Sequence, residues 1–477
     1  MAISSVGIGS GLDVESIVTQ MVDLERRSIK TLEAKAEFIE AKISVQGQIS
    51  SLVSGLHDSL FDLTLDSTWK SAKASTSGSS VSASMTGTAA VGSYNMNVTQ
   101  LAQSQTSVSS KIGGDVKLGA GTLTFTVGHL SPQAKTPIVL DGTESLEQVA
   151  KKINDAAVGV SASVIKDANG KQQLVLTAKD TGVEGEFSLS IAATDSASQL
   201  GLWQSGSQAT PGDATEAING EGFFRAQAGQ NAKMTLNGVE LESSTNTFAS
   251  ALTGVSLSVN SVGGSLLNVT QDTATIKEKI QKFVDAYNSL NELLTASTKY
   301  TEDTKSAGVF QGDSSIVSMQ NAFRMMTQTV VSNATGAFNR LADIGIEIAN
   351  PTSAKVSGAL VLNTSKLDNA LTDLDSMKSL FTAKADSSGQ GAGIAVTFRK
   401  FTSGLMDLEG ALKTKDSSLE KELKRNGDEQ EKVENRASAL EARLRAQYTA
   451  LDVKMASLNS LSSYVEQMVT SWNKSTD

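Results

Sequence analysis

The sequence contains no cysteine and only two histidines among its 477 residues. The absence of cysteine excludes disulfides, thiolate catalysis, zinc–thiolate sites and iron–sulfur clusters. Neither His57 nor His129 has another histidine at the short spacing of a metal site. We interpret His57 as a packed or surface histidine within an apolar helix and assign His129 no role. The sequence therefore predicts no metal site and no cofactor.

The motifs of the common enzyme classes are also missing. GIGSG (7–11) follows no predicted strand, and GQGAG (389–393) has Ile394 where a third glycine would stand. Neither segment therefore fits a nucleotide-binding loop. No GxSxG, Walker A, HExxH or EF-hand sequence is present. We expect the protein not to be an enzyme.

Positive charge and long apolar runs are scarce. Lysine and arginine number 41 against 51 acidic residues, a net charge of −10. This balance disfavours a broad phosphate-binding surface, so we expect no nucleic-acid partner. No run of about 18 apolar residues occurs, so we expect no membrane insertion. No lysine or arginine precedes Arg26 and no apolar segment stands there, so we expect no cleaved signal peptide.

Glycine and proline divide the chain. Residues 71–270 hold 23 of the 39 glycines and three of the four prolines, whereas residues 400–477 hold three glycines and no proline. Within 71–270, short runs of alternating polar and apolar residues predict antiparallel strands. We expect one helix among them, capped by Thr143 or Ser145. The strand-like runs are SVSASMTG, GSYNMNVTQL, GTLTFTVG, KQQLVLTAK, FSLSIAA, AKMTLNGVEL, GVSLSVN and LLNVTQ.

Helical periodicity is present near the N-terminus. Ser10 or Asp13 is placed to cap a helix. A wider apolar face, typical of a bundle helix, follows at 49–63. The first apolar stripe, with i, i+3, i+4, i+7 spacing and a less regular continuation, consists of Val14, Ile17, Val18, Met21 and Leu24.

Helical patterns return after residue 270. Thr275 with Glu278 fits a capping box for one helix. A second helix is expected from about Asp313, and a third, after a short strand at 359–362, over 367–381. We interpret 386–393 as a link.

The C-terminal segment carries a sustained heptad pattern. Steps of four and three residues from Leu412 to Trp472 visit 18 positions, of which 13 are apolar. Such a stripe needs a partner helix, and the N-terminal helix is the free segment of comparable reach. Met455, Met468 and Trp472 are either seam residues or docking residues that stay exposed before assembly. The residues expected at the helical interface are Ile17, Met21, Leu24, Leu440, Leu444, Leu451, Leu458, Leu461, Val465, Met468 and Trp472.

The sequence thus predicts a multidomain α+β fold with a long terminal α-helical coiled coil, a helical bundle and inserted antiparallel β-rich domains. The predicted domains are coiled-coil legs (1–40 with 430–477), a helical bundle (41–70 with 273–429), a β domain (71–102 with 231–272) and a variable β-rich domain with one helix (103–230).

Several segments resemble the bacterial flagellar filament cap family, also called hook-associated protein 2. These are GIGSGLDVESIVTQMVDLE at the N-terminus, KEKIQKFVDAYNSLNELLTASTKYT (277–301), GVFQGDSSI (308–316), RLADIGIEI (340–348), GALVLNTSKLDNAL (358–371) and AQYTALDVKMASLNSLSSYVEQM (446–468). Residues 145–179 resemble an insertion motif shared by caps and some flagellins. RRSIKTL (26–32) lacks a proline that the family often has, which leaves the local bend open.

The resemblance implies a ring of identical copies, commonly a pentamer, at the distal tip of the filament. It implies export through the flagellar type III channel, with flagellin, the hook–filament junction protein and a cytoplasmic export chaperone as partners. For the chaperone, we expect the binding residues to be Leu444, Leu451, Leu458 and Leu461.

Two classes of function fit these observations. One is an assembly cap that promotes flagellin folding and polymerisation, with flagellin or the junction protein as near alternatives. The other is a tip adhesin whose exposed β domains bind host surface ligands.

Overall fold

The structure is a computed structural model that describes residues 13–205, 222–301, 306–350 and 356–473. It separates into two compact units. One is formed by the two ends of the chain, up to Trp69 and from Ala274 onward, and the other by Lys70–Thr273. The predicted GIGSG loop and the Ser10 cap lie outside the described residues.

The helices are long at the chain ends and short between them. α1 is capped by Asp13, whose carboxylate accepts the N–H of Ser16 at 3.0 Å, and it is continuous where the sequence suggested two stripes. In chain order the described helices are α1 (Val14–Ser59), α2 (Phe61–Thr64), α3 (Asp66–Trp69), α4 (Leu146–Asp155), α5 (Gln199–Ser205), α6 (Thr273–Thr298), α7 (Ser314–Thr327), α8 (Thr364–Ala370), α9 (Leu374–Thr382), α10 (Ile394–Met406) and α11 (Ala411–Asn473).

The strands fill the Lys70–Thr273 unit and two small hairpins elsewhere. Every described pairing between them is antiparallel, as the sequence predicted. They are β1 (Ala72–Thr76), β2 (Val81–Met85), β3 (Gly92–Gln100), β4 (Thr106–Ser109), β5 (Ala120–Val127), β6 (Gln133–Ala134), β7 (Ile138–Asp141), β8 (Val160–Lys166), β9 (Gln172–Ala178), β10 (Phe187–Ala193), β11 (Phe223–Gln227), β12 (Ala232–Leu236), β13 (Val239–Ser243), β14 (Thr247–Leu252), β15 (Val255–Val259), β16 (Gly263–Gln271), β17 (Tyr300–Thr301), β18 (Ser306–Ala307), β19 (Ile346–Ile348) and β20 (Leu360–Leu362).

The predicted fold class is confirmed, but several local predictions are wrong. α6 begins at Thr273, so Thr275 lies inside the helix rather than at its cap. The third helix is divided into α8 and α9, because Asp373 accepts the N–H of Ser376 and starts a new helix. α10 was not predicted. The β region contains a second helix, α5, which places Trp203 in a buried position.

The helical unit is organised around an apolar core with aromatic residues at its centre. The Phe398 ring lies 5.6 Å from the Phe283 ring, 6.5 Å from Tyr287 and 6.2 Å from Phe323, measured between centroids. Edge-to-face and tilted rings of this kind add to the stability that burial provides. Buried residues of α1, among them Val53, and buried residues of α11 belong to the same core. The bundle therefore anchors one end of both long helices.

The Lys70–Thr273 unit has two apolar cores, which define two lobes. The first lobe (70–102 with 231–273) packs the five-stranded sheet β1-β16-β3-β12-β13 and the three-stranded sheet β14-β15-β2 around one core. The second lobe (103–230) packs two four-stranded sheets with α4 and α5 around the other. Ser145 forms a capping box with Gln148 at the start of α4. Ser145 was one of the two caps that the sequence predicted for this helix.

Candidate assembly interface

α1 and α11 form an antiparallel helical pair, which we call the arm. Ion pairs fix its direction, because partners with rising numbers on α1 have falling numbers on α11. Glu15 accepts two hydrogen bonds from Arg445, at 2.6 and 2.7 Å. Arg26 binds Glu434, and Lys35 lies 3.7 Å from Glu422.

The seam of the arm follows a heptad pattern on both helices. On α11, the predicted four-and-three stepping from Leu412 to Leu444 gives buried or half-buried residues throughout. On α1, the same stepping runs through Val18, Val22, Glu25, Ile29, Leu32, Ala36 and Ile39. The tip of the arm is a small core in which Leu444 and Tyr448 pack against the buried residues Val14, Val18, Val22 and Ala437.

The interface residues predicted on α1 lie beside the seam. Met21 is 47% exposed and Leu24 is 59% exposed, whereas Ile17 is half-buried. The predicted stripe is divided in the structure. Val14 and Val18 face α11 together with Val22, whereas Met21 and Leu24 lie outside the seam. Ile29, Leu32 and Ala36 continue the buried stripe in heptad steps.

The interface residues predicted on α11 fall into two groups. Leu440 and Leu444 are half-buried against α1. α11 then continues past Tyr448 to Asn473, a further rise of about 38 Å. Trp472 belongs to the last turn of α11, where its side chain lies outside the described part of the structure. The remaining predicted residues are exposed: Leu451, Leu458, Leu461, Val465 and Met468.

Other apolar side chains on the C-terminal part of α11 are exposed as well. Val453, Tyr464 and Val469 lie between the predicted positions and are each more than half exposed. Apolar surface of this extent on a helix marks a site of protein–protein contact more often than a free surface. Gln447 and Lys454, which the heptad pattern places at seam positions, are also exposed.

Polar side chains interrupt the buried part of the seam. Asn426 is 3% exposed and accepts a 2.7 Å hydrogen bond from the Gln430 side chain. Its own amide nitrogen has no hydrogen-bond partner among the described residues. Gln46 is fully buried and donates to the Leu412 carbonyl at 3.3 Å, while its side-chain oxygen has no partner there. Such groups cost stability and fix the register of a helical pair.

Charge complements the seam on its flanks. Hydrogen bonds from Arg445 hold the pKa of Glu15 below its usual value of 4.5. Arg26 lowers the pKa of Glu434 in the same way. The carboxylates are therefore ionised at neutral pH and attract the cations of the other helix. Because these side chains are exposed, each pair contributes little stability on its own.

Two features that the sequence analysis singled out, His57 and the GQGAG segment, can be located in the structure. No group of three or more potential ligands is placed to hold a metal ion among the described residues. The His57 ring nitrogen Nδ1 lies 2.9 Å from the Thr402 hydroxyl, which agrees with the interpretation of a packed histidine. The GQGAG segment is part of a turn in which Asp386 accepts the N–H groups of Ser388 and Gln390. In the described part of the chain, no helix is both long and apolar enough to cross a membrane.

The described structure is that of a multidomain protein with β-rich lobes and long helical chain ends, in which α11 leaves apolar side chains exposed. Comparison with known sequences identifies its family. Residues 10–105 match the profile of the flagellar hook-associated protein 2 N-terminus, and residues 229–460 match that of its C-terminus. Residues 122–180 match the flagellin hook IN motif.

Curated relatives cover the whole chain. Flagellar hook-associated protein 2 of Escherichia coli strain K12 is 31% identical and covers 98% of each chain. The protein of the same name from Salmonella typhimurium strain LT2 is 30% identical over 99% of this chain and 100% of the relative. The crystal structure of domains D1 to D3 of the flagellar cap protein FliD from Escherichia coli matches with a TM-score of 0.59, at 28% identity, and covers 79% of this chain and 99% of that one. The chain belongs to the flagellar hook-associated protein 2 family.

Proposed function

We propose that the protein is a non-enzymatic cap at the tip of the flagellar filament, where it promotes folding and polymerisation of exported flagellin and prevents its loss to the medium. Family membership supports the place of action. The observation that carries the mechanism is the arm, whose α11 extends beyond Tyr448 with its apolar residues uncovered. A helix with this surface is suited to insertion among the helices of other subunits.

The proposed cap is a ring of identical copies. The exposed apolar surfaces of the arm are the proposed contacts between subunits. One surface is the stripe of Ile17, Met21 and Leu24 on α1, which α11 leaves at least partly exposed. Another is the α11 segment from Leu451 to Val469. The two lie on the same antiparallel arm, so one neighbouring subunit or filament subunit can contact both. We propose a pentamer with flagellin and the hook–filament junction protein as filament partners.

The same α11 surface needs a partner before assembly. We propose that a cytoplasmic export chaperone covers Leu444, Leu451, Leu458 and Leu461, whose spacing places them along one helix face. Export through the flagellar type III channel, with no cleaved signal peptide, would then release the chain at the tip.

We propose that the chain is organised in four domains. The legs (1–40 with 430–477) and the bundle (41–70 with 273–429) share the continuous helices α1 and α11. The β domain (71–102 with 231–272) and the variable domain (103–230) are proposed to form the plate of the cap.

Deletion of the gene tests the proposal. A cap predicts loss of filaments, with monomeric flagellin accumulating in the medium, and recovery on complementation. Normal filaments with lost surface attachment would instead indicate an adhesin. Loss of filaments without flagellin in the medium would indicate that the deleted gene encodes flagellin itself. Release of both flagellin and a separate cap protein into the medium would indicate that it encodes the junction protein.

A further inference from the structure

The two lobes of the Lys70–Thr273 unit are joined in a way that restricts their relative motion. The chain crosses between them twice, near Gln103 and near Gln230. Two crossings alone ordinarily allow neighbouring domains to move. Here the crossing strands are bonded to each other: the Gln103 N–H donates to the Gln230 carbonyl at 2.9 Å, and the reciprocal bond is 3.1 Å. The Gln230 side-chain amide also donates to the Gln103 side-chain oxygen at 2.6 Å.

A third segment of the second lobe also reaches the first lobe, partly beside the second crossing and partly away from it. This is the loop 180–186 between β9 and β10. The Thr181 hydroxyl donates to the Ser244 carbonyl at 2.7 Å. The Val183 N–H donates to the Asn231 side-chain oxygen at 2.9 Å, and Asn231 in turn donates to Glu242 at 2.8 Å. The loop is therefore bonded to Asn231, which lies next to the second crossing, and to Ser244, which lies away from both crossings.

The contact is close enough to require glycine at its centre. Gly182 has φ +84°, and a Cβ built there would lie 2.6 Å from both the Asn231 side-chain oxygen and the Ser244 carbonyl oxygen. A side chain at this position would collide with rigid backbone of the other lobe. The Gly182 N–H also donates to the Gln103 carbonyl at 3.0 Å. The same residue thus contacts one crossing strand and the first lobe.

A buried ion pair lies at the end of the loop 180–186. The Glu186 and Arg225 side chains are 4% and 2% exposed, and their charged groups lie 3.3 Å apart. Glu186 also accepts the N–H of Gly229 at 3.0 Å. A Cβ on Gly229 would lie 2.6 Å from Glu186 Cγ and 2.7 Å from the Gly182 carbonyl oxygen. The second crossing strand and the loop 180–186 are therefore packed tightly against each other.

We propose that the loop 180–186 locks the two lobes into one rigid body. The chain connects the two lobes at two neighbouring places. Lobes that are joined only at neighbouring places can still bend relative to each other about that junction. The bond from Thr181 to the Ser244 carbonyl, away from both crossings, adds a third attachment that opposes this bending. The orientation of the second lobe is then set by the fold of the chain and does not depend on contacts with other subunits.

Spin-label distance measurements test this inference on the full chain. Because the protein has no native cysteine, a Ser84→Cys, Ser163→Cys pair labels one exposed strand residue in each lobe and nothing else. The lock predicts one narrow distance distribution in the monomer. A broad or multiple distribution in the otherwise unchanged chain would overturn the proposal, whatever the loop variants do.

Three variants assign the rigidity to the loop. Gly182→Val should replace the narrow distribution with a broad or shifted one. Gly170→Val is the matched control, since Gly170 also has positive φ but no neighbour within 4 Å of an added Cβ, and it should leave the distribution unchanged. Thr181→Val removes one bond without backbone strain and should broaden the distribution less than Gly182→Val does.

A label pair within the second lobe, Ser163→Cys with Ser190→Cys, should stay narrow throughout, which separates lobe motion from lobe unfolding. If this internal pair broadens in Gly182→Val, the result for Thr181→Val decides. A distribution that stays as narrow as that of the parent protein in every variant whose internal pair is intact would contradict the role of the loop.

Discussion

At the scale of single residues, the polar seam position Asn426 has the clearest energetic consequence. It is buried, and its amide nitrogen lacks a partner among the described residues. A buried donor without a partner costs about 1–3 kcal/mol. Asn426 therefore lowers the stability of the seam and helps to specify how α1 and α11 align.

We predict that Asn426→Leu raises the stability of the helical unit by about 1–2 kcal/mol, because it removes an unpaired donor and adds apolar contact in the seam. Urea unfolding followed by circular dichroism measures the change. Gln447→Leu is the matched control, since Gln447 is exposed, and its effect should stay within about 0.5 kcal/mol. Equal effects of the two substitutions would show that burial at position 426 does not matter.

Asp313 caps the start of α7 and also forms an ion pair with α11. Its carboxylate accepts the N–H of Ser315 at 3.1 Å and pairs with Lys415 of α11. Burial raises the pKa of Asp313, but hydrogen bonds from Lys415 and Ser315 outweigh it and lower the pKa to about 2, from 3.8. Because the folded-state pKa is the lower one, the ionised form stabilises the fold above pH 3.8, and this contribution is lost as the pH falls toward 2.

We predict that Asp313→Ala destabilises the helical unit by about 1–2 kcal/mol at neutral pH, through loss of the cap. Asp313→Asn keeps the capping oxygen and should cost less. Its deficit relative to the parent protein should shrink as the pH falls from about 4 to about 2, as thermal unfolding at a series of pH values would reveal. A deficit that is constant with pH would exclude a contribution from the ionised carboxylate.

At the scale of elements, the arm has a packed part and an uncovered part. Leu444 and Tyr448 are the last α11 residues in the apolar core at its tip. Beyond them the described side chains are exposed, apart from the half-buried Asp452 and Met455. Helices that lack tertiary packing are marginally stable in water. The C-terminal segment of α11 should therefore open far more often than the segment paired with α1.

Limited proteolysis of the monomer measures this difference. We predict that trypsin cleaves after Lys454 much faster than after Arg443, and that both arm ends (1–40 and 430–477) are trimmed before Lys70–Thr273 is cut. Opening of the packed part must break the Glu15–Arg445 and Arg26–Glu434 pairs as well as the seam. Equal cleavage at Lys454 and Arg443 would contradict the division of the arm.

The exposed stripe on α11 leads to a prediction about the export chaperone. Leu451→Asp with Leu458→Asp should abolish binding, because it places two charges in an apolar contact. Ala456→Asp with Ser463→Asp is the matched control, since both positions are exposed and have the same seven-residue spacing on another face of the helix. Pull-down from cells that express the chaperone would detect the difference. Retained binding by the leucine double variant would move the site elsewhere.

At the scale of the whole molecule, the sequence predicted the architecture, but it did not show which face of α1 meets α11. Alternating strands, the heptad from Leu412 and the Ser145 cap depend on local patterns, which act wherever the chain folds. The seam on α1 depends on which of two adjacent apolar stripes meets α11, and local spacing favoured Met21 and Leu24 over Val22. α5 escaped prediction because seven residues are too few to establish a helical period.

The polar seam positions illustrate the same limit. Heptad stepping places Asn426, Gln430, Gln447 and Lys454 at seam positions. The structure buries only the first of these fully and leaves Gln447 and Lys454 exposed. Stabilisation of the free arm by leucine at 447 and 454, which the heptad pattern would suggest, is therefore not expected. Any effect of those two residues belongs to contacts with other subunits.

The central claim is that the arm holds a cap on the filament end, and purified protein added to cells that lack the gene tests it without export or chaperone. The full chain should restore filament growth and reduce the flagellin in the medium. The chain ended after Tyr448, which keeps the packed part of the arm, should restore neither. Restoration by the shortened chain would contradict the role of the α11 extension, and failure of the full chain to change the flagellin in the medium would contradict the cap itself.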